Sequence, residues 1–458
     1  MLIPRRRFLQ VSGSLLLPFA DVGLRAAFGS QPELPAVAEL PFDRSEPGLA
    51  RGTLVAMPGR AMIDGRMVNA LTYNGEFPGP LLRLREGETV QLQFVNRTEA
   101  PSNLHFHGLL LSPAGRADNV WIHVPPGASF DYEFVVPRGS AGVHWYHPHI
   151  HGATARAMFR GLAGPILVEA DLDFERELDC DDRLLVLKDI TLDGDEIEGH
   201  RSNEWSVGKE GRLLLVNGVE RPVIRARKSL VRLRLLNASN ARYWRLRRSD
   251  ERPLLVIAHD GRLLDAPHEV AEIQLVPGAR AEVLVVLDDP SPVELWYLPT
   301  PRRGMAFTAP QQLVTIEPPS TLTRPDIPKA LVPSAAFPVK EASIEREVIL
   351  SLFNICTSFF DPNRVDIRTR LGAREIWRVR NVDLMDHPFH LHTWHYEVLD
   401  VNDVPPAYRA HRDMFNIRSG DTVRIGIHFT EHTGRTLYHC HLAEHTDRGM
   451  MAVLQVDS

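Results

Sequence analysis

The chain has 458 residues, enough for about three domains of ordinary size, and 44% are hydrophobic, so each domain can bury its own core. Its 58 acidic residues outnumber its 52 Lys and Arg, giving a net charge of −6 and no basic footprint for nucleic acid. No apolar run reaches the ~18–20 residues that a spanning helix requires, which argues against stable membrane insertion.

The chain begins with Arg5-Arg6-Arg7-Phe8-Leu9, then a mildly apolar stretch from Val11 to Ala20 and small residues from Ala26 to Ser30. This pattern resembles a twin-arginine export signal, which is an address and not part of the fold. Residues 1–34 are therefore assigned to targeting. The twin-arginine export machinery becomes an expected partner, and the mature protein is expected outside the cytoplasm, periplasmic or secreted.

From residue 35 onward, short segments alternate apolar and polar residues, as in Leu82-Arg83-Leu84 and in 90–95 and 231–236. That is the pattern of half-buried strands. The run Tyr73-Asn74-Gly75 returns as Val216-Asn217-Gly218 and again as Phe353-Asn354. Each copy leads on to a second asparagine, at Asn96, Asn237 and Asn381. A period of roughly 140 residues means duplicated domains rather than a solenoid. The fold class expected is all-β, with three consecutive Greek-key β-sandwich domains at 35–171, 172–317 and 345–458. Residues 318–344 read as an extended linker, with six prolines between Pro318 and Lys340.

Four His-x-His pairs carry the chemistry: His105-Phe106-His107, His147-Pro148-His149, His390-Leu391-His392 and His439-Cys440-His441. Positions i and i+2 share a face of a strand, so each pair can aim two imidazoles at one place. Cys440 then points away from both of its neighbours. Eight imidazoles suit a cluster of three metal ions. His387, Cys440, His445 and Met450 remain; imidazoles, a thiolate and a thioether are the donors of a mononuclear electron-transfer copper. Structural zinc favours four closed ligands, often several thiolates, and this set offers one. His144 and His151 break the motif spacing and read as packing or supporting residues.

At these motifs (HFHG, WYHPHIHG, HPFHLH and HCHLAEH followed by GMM) the chain resembles the multicopper oxidases, in particular their three-domain bacterial laccase-like branch. The resemblance covers almost the whole chain past the export segment. It implies cupredoxin-like domains and four copper ions. The type 1 copper matches His387, Cys440 and His445, with Met450 axial. The type 2 copper matches His105 and His390. The binuclear type 3 pair matches His107, His147, His149, His392, His439 and His441. The implied activity is one-electron oxidation of a small-molecule substrate with His387 as the entry point, transfer through Cys440, and reduction of dioxygen to water. The pairs fall in the first and third domains, so the cluster is expected between them, with the middle domain as a spacer.

Water formation consumes protons, so carboxylates are expected near the cluster. Asp118 resembles the acid that serves the type 2 copper in relatives. A second relay acid commonly follows the last type 1 histidine. Here that position is Thr446, leaving Asp447, Glu444 or a water path in its place. Asp383 is expected to orient His387, and Asp386 to hold a substrate at the entry face. Copper-detoxifying relatives carry a methionine-rich segment over the type 1 site. The matching stretch, 301–307, holds only Met305 and two arginines, which favours phenols or aromatic amines over cuprous ion, although Met305, Met385 and Met414 can still meet in space. A cuprous-ion oxidase and a non-catalytic envelope scaffold are the alternatives. Cys180 and Cys356 are expected to stay unpaired, and the protein to be a monomer.

Overall fold

The alternating segments form strands, and in the computed structural model these assemble into three successive β-sandwiches of the cupredoxin kind; residues 31–305 and 308–458 are described. The export motif lies outside the described residues. The first sandwich pairs a six-stranded sheet with a four-stranded one, which carries His105–His107 and Gly142–His147 as neighbours. The second pairs sheets of seven and five strands, and the third sheets of six and five. In each sandwich an early strand runs parallel to a later one. Leu49–Ile63 lies beside Thr89–Asn96, Asp181–Ile190 beside Leu230–Asn237, and Ile344–Ser351 beside Arg374–Asn381. Along Thr89–Asn96 the inward set Val90, Leu92, Phe94 and Asn96 is buried, as the period of two requires.

The repeated second asparagine has one job in all three copies. Asn96, Asn237 and Asn381 are buried. Each accepts the N–H two residues on, from Thr98, Ser239 or Asp383. Each amide donates to two carbonyls, Ala100 and Val124, Arg242 and Leu275, or Met385 and Ile417. In the first and third sandwiches the loop so pinned leads directly into a histidine strand.

The first asparagine behaves differently in the third copy. Asn74 and Asn217 take left-handed backbone, φ 55° and 51°, in turns that Asn tolerates. In the third copy Phe353 takes that conformation, φ 60°. The turn is thus offset by one residue from the sequence match at Asn354, and the Phe353 ring meets His445 edge-on at 5.2 Å.

Two boundaries differ from expectation. The hairpin Leu192–Asp193 and Glu196–Ile197 joins the first sandwich, with Glu196 beside Asn69, because its one buried residue, Ile197, fills the core there. The proline-rich segment is not free. Leu331 and Val332 donate to Asp265 and Leu264, Arg409 donates to Ser334 O, and buried Phe337 lies against Gly426, where a Cβ would overlap its ring. No described helix is long and apolar enough to cross a membrane. All three thiols are free, with Cys356 exposed and Cys180 half-buried.

Candidate metal centre

Strand His387–Leu391 pairs antiparallel with Gly434–Cys440, setting Phe389 opposite Cys440 and His390 opposite His439. The Cys440 sulfur lies 3.5 Å from His387 Nδ1 and 3.7 Å from His445 Nδ1, the latter on the short helix Ala443–Asp447. Met450 is fully buried and tied by its backbone to both, donating to His445 O and accepting from Cys440 N. The far nitrogens are engaged. His387 Nε2–H donates to Asp383 at 3.0 Å, and His445 Nε2–H to the Ser206 carbonyl at 3.0 Å. Each ring is thereby fixed with Nδ1 toward the sulfur. Burial pushes the Cys440 thiol up to about 12 and His445 down to about 3. A bound metal is what draws the proton off such a sulfur.

The eight paired imidazoles converge between the first and third sandwiches. His105 Nδ1–H donates to both Asp118 oxygens, at 2.9 and 3.0 Å, turning its Nε2 to within 3.4 Å of His390 Nε2. His390, His147 and His439 spend Nδ1–H on the carbonyls of Asp413, Pro148 and Cys440. The Nε2 atoms of His149 and His392 lie 3.2 and 3.0 Å from His439 Nε2, one trio. His107, His147 and His441 form a second, their donor atoms within 4.8 Å of one another. In that trio His107 Nδ1, His147 Nε2 and His441 Nε2 are buried with no hydrogen-bond partner. Orphaned buried nitrogens aimed at one point fit metal ligands. His439 and His441 therefore belong to different trios, one chain position either side of Cys440.

Burial holds these imidazoles neutral, with His147 near 3, His439 near 4 and the others well below their usual value. Unfolded histidines charge near ~6.5. These histidines should therefore cost the copper-free protein nothing above pH ~6.5 and destabilise it as pH falls toward 4, because only the unfolded chain then takes up protons on them. Denaturant titrations of the apoprotein at pH 7.5, 6 and 5 check this; a flat midpoint would contradict it.

The other predicted acids have different surroundings. Asp118 is buried and burial raises it to about 7. Asp447, offered as a relay acid, instead accepts from Gly152, Thr154 and Ala155 N–H and so caps the first-sandwich helix Thr154–Phe159. Its removal should lower stability by about 1–3 kcal/mol, and denaturation of Asp447→Ala measures it. Glu444, the other candidate, is fully buried and held by His200 and Asn240 of the second sandwich. Both carboxylates are drawn off by contacts that the third sandwich makes with its neighbours. Thr446 Oγ1 donates to Cys440 O and sits 3.3 Å from His439 Nδ1.

Three further expectations change. His387, expected as the entry point, does not reach solvent: it is wholly buried, with Asp383 between it and the surface. Asp386 is committed to Asn416 and to Ser419 N, which joins its loop to the next strand. The middle sandwich is more than a spacer. It supplies Ser206 to His445, a backbone at Gly278 so close that a Cβ would meet the His441 ring at 2.9 Å, and the buried Arg280, which binds Asp413. Arg280 and Asp413 stand in no motif, and nothing local in the sequence marks them.

Models of the family described as "Multicopper oxidase" match residues 56–173 and 334–458. The chain is 29% identical to multicopper oxidase mco of Staphylococcus haemolyticus over 92% of this chain and 91% of that one. It is 31% identical to the cell division protein FtsP of Edwardsiella tarda over 100% and 99%. Among solved structures, a multicopper oxidase from Campylobacter jejuni, titled a metallo-oxidase, superposes with a TM-score of 0.85 at 28% identity, covering 94% and 96%. With these matches and a thiolate site flanked by histidine trios, the chain belongs to the multicopper oxidase family of copper oxidoreductases.

Proposed function

We propose that this protein oxidises phenols or aromatic amines one electron at a time and reduces dioxygen to water, using four copper ions. His387, Cys440, His445 and Met450 hold the type 1 ion, His105 and His390 the type 2, and the trios His107/His147/His441 and His149/His392/His439 the type 3 pair. One observation carries this reading: the Cys440 sulfur belongs to one donor set while its two chain neighbours belong to two others. When bound, copper supplies one-electron redox steps and a site for dioxygen.

The chain's own residues do the rest. His387 and Asp383 form the hydrogen-bonded path by which an electron enters, since the imidazole itself is covered. Cys440 and the backbone to His439 and His441 carry the electron inward. The surrounding burial excludes water from the donor nitrogens, and Asp118, on the outer nitrogen of His105, gives and takes protons. Asp383 shapes the entry face, and Asp386 braces its loop there through Asn416 and Ser419 N. Export through the Arg5-Arg6-Arg7 segment places this chemistry outside the cytoplasm.

The likeness to a protein titled a metallo-oxidase favours a second reading, cuprous ion as the donor. Against it, Met414 is withdrawn into the core, so Met305, Met385 and Met414 make no open thioether site. The guanidinium of Arg302 is taken by Ala241 O, Val207 O and Glu210, so it favours neither donor. The complete ligand set speaks against a scaffold without copper. Purified holoprotein should hold about four coppers per chain and consume oxygen with a substituted phenol, without releasing peroxide. Faster uptake with cuprous ion than with any phenol or aromatic amine would move the assignment to metal oxidation. A copper-free preparation that resists reconstitution would end both readings.

A further inference from the structure

Arg280 lies on the middle-sandwich strand Arg280–Val286 and is fully buried, yet its guanidinium touches all three sandwiches. It donates to Val143 O of the first at 3.2 Å and to Gly278 O and Asp260 O of its own at 3.1 and 3.0 Å. It grips both carboxylate oxygens of Asp413 in the third, each at 2.7 Å. Asp413 in turn reaches two candidate ligands. Its Oδ1 accepts from His107 Nε2–H at 3.2 Å, and its backbone carbonyl accepts from His390 Nδ1–H at 2.9 Å. Its Oδ2 also lies 3.4 Å from His395 Nε2, and Asp260 holds the next backbone N–H, that of Met414, at 3.3 Å. There is no slack in the arrangement. A Cβ at Gly108, directly after His107, would overlap the Arg280 guanidinium.

We propose that Arg280 and Asp413 are the positioning pair of the buried histidine cluster, acting on it from the middle sandwich. A neutral imidazole carries one N–H. Asp413 claims it on Nε2 of His107 and so leaves Nδ1 as the donor, the reverse of His105, His147, His390 and His439, which keep Nε2 free. The fork of Arg280 fixes both oxygens of that carboxylate as a lysine could not. Removing it would also leave a buried charge unpaired. Filling the cluster with copper thus requires the middle sandwich to be docked against the other two. This inference rests on the reading that the cluster binds copper.

The test compares wild-type holoprotein with Asp413→Ala, Asp413→Asn and Arg280→Lys. Copper per chain at limiting copper, the sulfur-to-copper absorption of the type 1 site and the spectrum of the cluster are recorded. Asp413→Ala should keep the type 1 absorption while cluster affinity falls roughly 10–100-fold, the usual loss for a residue that orients a ligand. Asp413→Asn, which retains an acceptor oxygen, should recover part of this, and Arg280→Lys should fall between. Wild-type copper loading with an unaltered cluster spectrum in Asp413→Ala and Arg280→Lys would overturn the inference. So would equal loss of the type 1 absorption and the cluster, the mark of a merely structural ion pair. Wild-type protein that takes up no copper would instead overturn the functional reading beneath it.

Discussion

Cys440→Ser should abolish the intense sulfur-to-copper absorption and cut oxygen consumption with any donor by at least ~10³-fold, beyond the 10–100-fold typical of a residue that only supports a ligand. The reason is positional. The sulfur faces His387 and His445 while its backbone continues in both directions into the two histidine trios. Serine is smaller than cysteine only by the difference between oxygen and sulfur, so folding should survive. Its alkoxide is a far poorer partner for a soft electron-transfer copper than a thiolate. The eight paired imidazoles are untouched, so about three coppers should remain bound. Residual copper near three with activity lost separates a broken relay from an unfolded protein. Full activity in the serine variant would remove the relay.

Asp118→Asn should lower turnover by about 10²–10⁴-fold, the range for loss of a positioned proton carrier. Asp118 is sealed from solvent. It accepts from His105 Nδ1–H on both oxygens and from Phe106 N–H at 2.8 Å. Burial raises its carboxyl to about 7, where acid and anion are both accessible near neutrality; Phe106 N–H pulls the other way. A cation on the far nitrogen of His105 also lowers it. A donor must be protonated to act, so wild-type turnover should fall as pH rises through a limb at or below 7, and that limb should vanish in the asparagine variant. Copper content by metal analysis tells proton supply from ligand orientation. An asparagine variant with full copper, wild-type turnover and an unshifted pH profile would take Asp118 out of the relay.

Much of the site was legible because its grammar is local. Alternation along a strand separates Cys440 from His439 and His441 whatever the rest of the chain does. Pairs such as His105/His107 and His390/His392 need only an extended backbone to act together. The repeat was legible for the same reason: Asn96, Asn237 and Asn381 bond within their own sandwiches. The match at Asn354 slipped by one residue because a left-handed turn is a backbone state, and here a phenylalanine adopts it.

What the tertiary structure alone decided concerns partners far apart in the chain. Sequence placed acids near His445. Only packing showed that Asp447 meets a first-sandwich helix and Glu444 a middle-sandwich histidine, leaving Thr446 beside His439. The family resemblance paired His105 with His390 but could not say which nitrogen each presents. That is set by Asp118 for one ring and by the Asp413 carbonyl for the other. The candidate donors are named by residue type, by i, i+2 spacing for the eight paired imidazoles and by the family resemblance for His387, His445 and Met450. Their tautomers, their burial and the reach of Arg280 from the middle sandwich follow from three sandwiches closing on one volume, where a single proton on each ring must be satisfied by whatever the fold brings alongside.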